Sequence, residues 1–245
     1  MFNFVKTNNN NMKKQISILI LICLTLSVLV KAQDNKANGR KKLELNDYKG
    51  AIVDFTMAIL SNPTDGKSFE GRGFAETKLQ NYKDAIDDFT KAIEINPQNE
   101  SLYLQRASAK HDLKDYKGAI NDFTKAIEIN PYNGFAYYGR GLIKNILQDY
   151  RGAIEDFIKA IQINPRDGLA YSARGQAKGN LKDYKGAIDD FREAIEINPT
   201  KGNLYCNMGL AKIGLGQKEA GCLDLSRAGE LGYSEAFEYS KKYCK

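Results

Sequence analysis

Residues 116–131 read YKGAINDFTKAIEINP. Nearly the same sixteen letters return at 48–63 (YKGAIVDFTMAILSNP), 82–97 (YKDAIDDFTKAIEINP), 150–165 (YRGAIEDFIKAIQINP) and 184–199 (YKGAIDDFREAIEINP). The step is 34 residues, and all five prolines, Pro63, Pro97, Pro131, Pro165 and Pro199, keep it. A fixed period of this length marks an array of supersecondary units, each burying its apolar face against the next. Other columns keep the same step. Small residues stand at Gly39, Gly73, Ala107, Gly141, Gly175 and Gly209, and again at Ala51, Ala85, Ala119, Ala153, Ala187 and Gly221. Phe55, Phe89, Phe123, Phe157 and Phe191 form an aromatic column that ends in Leu225; Ala58, Ala92, Ala126, Ala160, Ala194 and Ala228 form another. Six repeats can be counted.

Within one repeat the spacing predicts two helices. In the third, Tyr103, Ala107 and His111 step by four along a first helix. Tyr116, Ala119, Ile120, Phe123, Ala126 and Ile127 mark the apolar face of a second,. Asp115 is placed to cap that second helix, and Asn130-Pro131 ends it, because a residue before proline is pushed out of the α region,. Small residues where the helices cross let the backbones approach, with the phenylalanine filling the space beside them. These columns are therefore packing, and the recurring Gly71-Arg72-Gly73 and Gly139-Arg140-Gly141 fall inside helices and form no phosphate loop,.

The 34-residue step, with Tyr103, Ala107, Tyr116, Ala119, Phe123, Ala126 and Pro131, resembles the tetratricopeptide repeat, over roughly residues 33–235. The resemblance implies an all-α fold: antiparallel helix pairs in a right-handed superhelical solenoid, whose first helices line a concave groove that binds peptides or proteins. It places the repeats at 33–65, 66–99, 100–133, 134–167, 168–201 and 202–235, the first degenerate and expected to fray. Residues 236–245 follow as a capping helix with Phe237 and Tyr243 turned inward.

The chain departs from the family where an apolar residue is usual in each helix. The first helices have Arg72, Arg106, Arg140 and Arg174, and the second helices Asp54, Asp88, Asp122, Asp156, Asp190 and Asp224. The preferred reading is a ladder of structural ion pairs, each Arg meeting an Asp of its own or the preceding repeat; the alternative is a basic strip for an acidic ligand.

By resemblance, the groove is lined by Phe74; by Leu104, Ser108 and His111; by Phe135, Tyr138, Leu142 and Asn145; by Leu169, Ser172 and Gln176; and by Leu210. Phe135, Tyr138 and Leu142 would form an apolar anchor for an extended segment or helix, with Asn145 and Gln176 available to its backbone. The Lys and Asn set with which chaperone-associated members clamp a terminal carboxylate has no counterpart. His111 is the only histidine, so a catalytic relay or multi-histidine metal site finds little support, and no cofactor is implied,. The expected partner is a protein or peptide, not nucleic acid, and the chain is not expected to be an enzyme.

The N-terminus has a separate character. Lys13 and Lys14 precede an uncharged run, 16–30, and then Lys31-Ala32-Gln33. This is the layout of a secretory signal cleaved after Ala32, with Met12 as an alternative start; the run is shorter than the roughly 20 residues of a membrane-spanning helix, though an uncleaved anchor is the alternative. Cys23, set mid-run behind the bulky Ile22, makes a poor lipid-attachment site. The whole chain carries a formal +6, but four of its 36 basic residues and none of its 30 acidic ones precede residue 33, leaving about +2 on an exported chain. The remaining lysines are interleaved with acids, which argues against a nucleic-acid surface. Export, periplasmic or secreted, would put Cys206, Cys222 and Cys244 in an oxidising compartment. The preferred reading is three small buried hydrophobes; the alternative is a disulfide between Cys222 and Cys244, which lie on helices able to pack as neighbours.

Overall fold

A computed structural model describes the backbone of residues 2–245, with side chains at 15, 17–22, 25–27 and 30–245. Lys13, Lys14 and the Cys23 side chain, on which part of the leader reading rests, lie outside the described side chains, as does that of Met12. Among the described residues the secondary structure is thirteen α-helices and no strand. They are α1 (Phe2–Glu44), α2 (Tyr48–Ser61), α3 (Gly66–Lys78), α4 (Tyr82–Ile95), α5 (Glu100–Asp112), α6 (Tyr116–Ile129) and α7 (Gly134–Ile146), then α8 (Tyr150–Ile163), α9 (Gly168–Asn180), α10 (Tyr184–Ile197), α11 (Gly202–Gly214), α12 (Lys218–Glu230) and α13 (Glu235–Tyr243). They form two compact units, one ending at Leu113 and the other Lys114–Lys245.

In the N-terminal unit α1 packs on α2, α2 on α3, α3 on α4 and α4 on α5. In the C-terminal unit the same zigzag runs from α6 to α13. The core of each is the pair of columns read from the sequence: Ala51 and Phe55, Ala85 and Phe89, Ala153 and Phe157, and Ala187 and Phe191 are all buried. Fully burying one phenylalanine contributes roughly 1.5–3 kcal/mol. Every second helix from α2 to α10 ends at Asn-Pro, where the Asn amide N–H still donates to the carbonyl four residues back, as Asn130 does to Ala126 at 2.8 Å. Between the first and second helix of a repeat the chain needs one left-handed residue: Asn46, Gln80, Lys114, Gln148 and Lys182 adopt φ between 59° and 64°, and Gly216 does so at 87°.

The first repeat is not frayed. Gly39 is buried, and Phe55 is fully buried between α1 and α3, packed by Leu43, Tyr48 and Ile52. Its first helix begins far upstream of Ala32, because α1 is continuous from Phe2. The other first helices are preceded by Asn-Pro, a turn residue and a cap such as Asp65 or Asn99; the equivalent four positions here are Val28-Leu29-Val30-Lys31, which hold no helix breaker,. From Ser17 to Glu44 α1 is long and apolar enough to cross a membrane by length and composition, which a signal sequence also satisfies,.

At the other end α13 turns inward differently from expectation. Ala236 is buried and Tyr239 packs with it against Cys206, Leu225 and Ala228, while Phe237 is 64% exposed and lies across Gly229. The helix is too short to bury both ends of its apolar face, and the small alanine gives the closest fit to α11 and α12. Cys222 and Cys244 form a disulfide, Cα to Cα 5.7 Å, and Lys218 Nζ donates to the Lys245 backbone oxygen at 2.8 Å, so the tail is held to α12 by a covalent and a polar tie. Cys206 is free, and burial, with Glu235 adding, pushes its thiol up to about 11, which keeps it protonated and unreactive,.

Candidate partner-binding surface

The first helices carry two kinds of side chain, those that hold the stack and those left over for a partner. The arginines belong to the first kind. Arg72 donates through Nε and Nη2 to the two oxygens of Asp88, at 2.8 and 2.7 Å, and through Nη1 to Thr56 of the preceding repeat at 3.0 Å. Arg140 does the same to Asp156 (3.0 and 2.7 Å) and Thr124 (3.0 Å). Arg174 grips Asp190 at 3.0 and 2.7 Å, and Arg106 reaches Thr90 at 2.9 Å. Each guanidinium also lies 5.5–5.8 Å from the ring three residues earlier, Phe69, Tyr103, Tyr137 or Tyr171,. One planar fork thus ties an Asp of its own repeat to a hydroxyl of the previous one, which fixes the stacking register. Asp156 and Asp190 receive a second cation, Lys144 at 2.8 Å and Lys178 at 2.9 Å.

The Arg72–Asp88 pair is electrostatically tense. Its hydrogen bonds to Asp88 hold Arg72 more firmly charged, whereas burial raises the Asp88 carboxyl, with Asp84 and Asp87 adding, against Arg72's opposing pull. The bidentate geometry decides between them, since a carboxyl accepting on both oxygens is ionised. The end repeats lack the arginine, having Asn38 and Met208 there. Lys42 and Lys212, in the same column as Lys144 and Lys178, remain there without the fork, 2.8 Å from Asp54 Oδ2 and 2.6 Å from Asp224 Oδ2, both of which are buried.

The groove residues divide by unit. In the N-terminal unit Phe74 is exposed and, with Arg40, Leu43, Phe55, Lys67, Glu70, Gly71, Ser101 and Gln105, lines a cavity of about 430 Å³. Leu104, Ser108 and His111 are half-buried on α5; the Ser108 hydroxyl donates back to Leu104 O at 3.1 Å, and His111 Nδ1 lies 3.2 Å from Asp112 Oδ1.

In the C-terminal unit the expected anchor of Phe135, Tyr138 and Leu142 is not one exposed cluster. Phe135 is exposed, its ring edge-on to Phe123 at 6.5 Å. Tyr138 and Leu142 pack against Ala153, Phe157, Ala173 and Ala177, with Tyr138 and Phe157 ring centres 5.9 Å apart. Burial, and less so Asp167, raises the Tyr138 hydroxyl. Ser172 is buried, Leu169 and Gln176 are exposed, and Asn145 is half-buried with Oδ1 accepting no hydrogen bond. A residue beside a helix crossing is drawn into the neighbouring pair whenever Gly or Ala leaves room, and Gly141 and Ala173 leave that room at Tyr138 and Leu142.

Gln176 and Leu210 do come together. With Gly175, Gly179, Asn180, Tyr184, Phe191, Asn207 and Ala211 they line an open cavity of about 350 Å³ between α9 and α11. Gly175 lets Phe191 approach closely, since a Cβ there would stand 3.0 Å from its ring. Three carboxamides, Gln176, Asn180 and Asn207, offer donors and acceptors beside the apolar Leu210 and Phe191. The sequence reading missed Asn180 and Asn207. Asn207 occupies the position of Gln105 in the other cavity, where the remaining repeats have Ala37, Gly71, Gly139 and Ala173, so two amides in a column of small residues were the available signal.

Profiles of the tetratricopeptide repeat match residues 67–99, 135–167 and 168–201, and a second profile of the same repeat matches 100–133. Together these cover more than half of the chain, which belongs to the tetratricopeptide-repeat family. A search of curated protein sequences returned no match. Among solved structures, the crystal structure of the MamA protein is 24% identical, with a TM-score of 0.66 over 71% of this chain and 94% of that one. A structure of YrrB, described as a TPR protein with an unusual peptide-binding site, is 21% identical, with a TM-score of 0.66 over 76% and 97%. The Pseudomonas aeruginosa PilF structure is 13% identical, with a TM-score of 0.71 over 88% and 99%. At these identities the likeness establishes the all-α repeat fold.

Proposed function

We infer that this chain is an exported, non-catalytic scaffold that binds an extended protein segment on its first helices, chiefly in the cavity between α9 and α11. The observation that carries the reading is the lining of that cavity: Gln176, Asn180 and Asn207 can each bond a peptide backbone, while Leu210 and Phe191 offer a small apolar floor to one side chain,. Charges are absent from the lining, so the favoured segment is neutral there. YrrB, described as having an unusual peptide-binding site, has a similar fold. Export is supported by the apolar N-terminal stretch of α1 and by the Cys222–Cys244 bond, which persists in an oxidising compartment,. A leader retained as a membrane anchor is the second reading, favoured by the unbroken helix.

Panning a display library of unstructured peptides against the purified chain tests the binding reading. Selected peptides should lose affinity at least tenfold on Gln176→Ala with Asn207→Ala, with helicity unchanged. Peptides indifferent to that pair but sensitive to changes on the second helices would remove the assignment. For export, Cys222 and Cys244 in freshly lysed cells should resist a maleimide until reduced; immediate labelling of both would contradict it.

A further inference from the structure

The outward face of the second helix is charged in the inner repeats and apolar in the first. On α4 it carries Asp87, Lys91 and Glu94, with Lys91 Nζ 2.8 Å from Glu94. On α6 it carries Asn121, Lys125 and Glu128, again with a 2.8 Å pair; on α8 Glu155, Lys159 and Gln162; on α10 Asp189, Glu193 and Glu196. The same three positions on α2 are Val53, Met57 and Leu60, which are 60%, 49% and 71% exposed. The repeats supply their own control: this position needs no apolar group for folding, since four other helices fold with charges or amides there. α12 is mixed, with Leu223 ahead of the Arg227–Glu230 pair.

The three side chains step by four and then three, the spacing of a coiled-coil seam, and lie opposite the buried Ala51, Phe55 and Ala58,. The other flanks of α2 are taken by α1 and α3. Such a stripe is complementary to itself across a two-fold axis. Three aliphatic side chains are far short of the ~800 Å² per partner of a stable soluble interface, so the contact needs a second tie. The same unit provides one: Ile18, Leu19, Ile20, Leu21, Ile22 and Leu26 of α1 are exposed. Two copies confined in one membrane by that stretch meet at high effective concentration, an advantage no free soluble partner has. The bilayer itself is the poorer occupant. α2 is joined to α1 by a three-residue turn, 45–47, and packs back along it, so a membrane crossed by α1 meets the end of α2 and not its flank.

We propose that the outer face of α2 is a self-association seam, along which two copies of this chain, held side by side by the retained apolar part of α1, pair through Val53, Met57 and Leu60. It rests on the leader being kept, and is independent of the α9–α11 cavity.

The test is photo-cross-linking of the full chain in membranes, with two epitope tags co-expressed and a benzophenone side chain in place of Met57. A doubly tagged product of twice the chain mass is expected, at least tenfold stronger than from the same probe at Lys91. Val53→Asp with Leu60→Glu, the acids α4 carries at those positions, should reduce it at least tenfold without loss of helicity. If that pair fails to fold, Met57→Lys in a tag co-purification replaces it, with the same expectation. Cross-links to lipid, or to a different protein, or a dimer band unmoved by the substitutions, would overturn the proposal, as would a chain found cleaved and monomeric.

Discussion

The inner repeats and the end repeats solve the same stacking problem with different parts. From the second to the fifth, each repeat has an arginine fork at its first helix; the forks of Arg72, Arg140 and Arg174 are seen gripping an Asp of the same repeat, and those of Arg72, Arg106 and Arg140 a Thr of the previous one. The first and sixth have no previous or next repeat to satisfy on one side, and there the arginine and one or both of its companions change together: Asn35 and Asn38 in one, Met208 in the other. The fork is lost and only the lysine that accompanies it at Asp156 and Asp190 is left to the Asp, a disulfide pins the terminal helix, and an apolar stripe appears on α2. Redundancy governs the interior of an array, and individual chemistry is free to develop at its ends.

The largest expected effect tests the interior device. Arg140→Ala should destabilise the C-terminal unit by about 3 kcal/mol in urea unfolding, because Asp156 stays buried with only Lys144. Arg140→Met with Asp156→Leu should return most of that loss, and Lys212→Ala at the more exposed end pair should cost about half as much. Equal costs at both places would erase the distinction between fork and point charge. Cys222→Ser with Cys244→Ser releases a loop spanning 22 residues and should cost roughly 3 kcal/mol, read as early melting of α12 and α13 in hydrogen exchange,.

Gly221→Ala sharpens the comparison in a different way. Alanine is the residue at that position in the five preceding repeats, yet here its Cβ would come within 2.6 Å of the Gly209 carbonyl oxygen and of Ile213. About 2 kcal/mol should be lost on thermal unfolding, whereas Ala187, buried in the same column, is already accommodated,. The smallest effect concerns acid. Burial works against ionised Asp65, but the Lys36 ammonium at 3.0 Å, the Ser68 hydroxyl and the Lys67 amide outweigh it, so its folded value lies below the ordinary 3.8. Its contribution is therefore present above that value and lost as pH falls through the lower folded one. Asp65→Asn should lower the N-terminal unit's melting temperature slightly at pH 7 and flatten its acid limb, so that variant and wild type converge as pH falls below 4; a parallel limb would show that Lys36 is not its effective partner,.

Most of the fold was legible because the repeat displays each position six times. A column such as Phe55 to Phe191 can only be a shared packing site, and Asn-Pro at a fixed step can only be a shared helix end. The candidate site was less legible for the converse reason. Tyr138 and Leu142 looked like a groove anchor, yet the space left by Gly141 and Ala173 draws them against Phe157, and Asn180 and Asn207 converge with Gln176 only when α9 and α11 lie side by side.

By itself the sequence determined the period, the helix pairs, their ends and the charged columns, since these depend on local conformational preference and on spacing repeated along the chain. Only the tertiary structure decided that the arginines reach carboxylates of their own repeat, that Cys222 meets Cys244, that Ala236 and not Phe237 seals the last helix, and which amides share a cavity. Those outcomes turn on fractions of an ångström of clearance between helices, set by the volumes of Gly, Ala and Phe packed together, and no single helix carries that information.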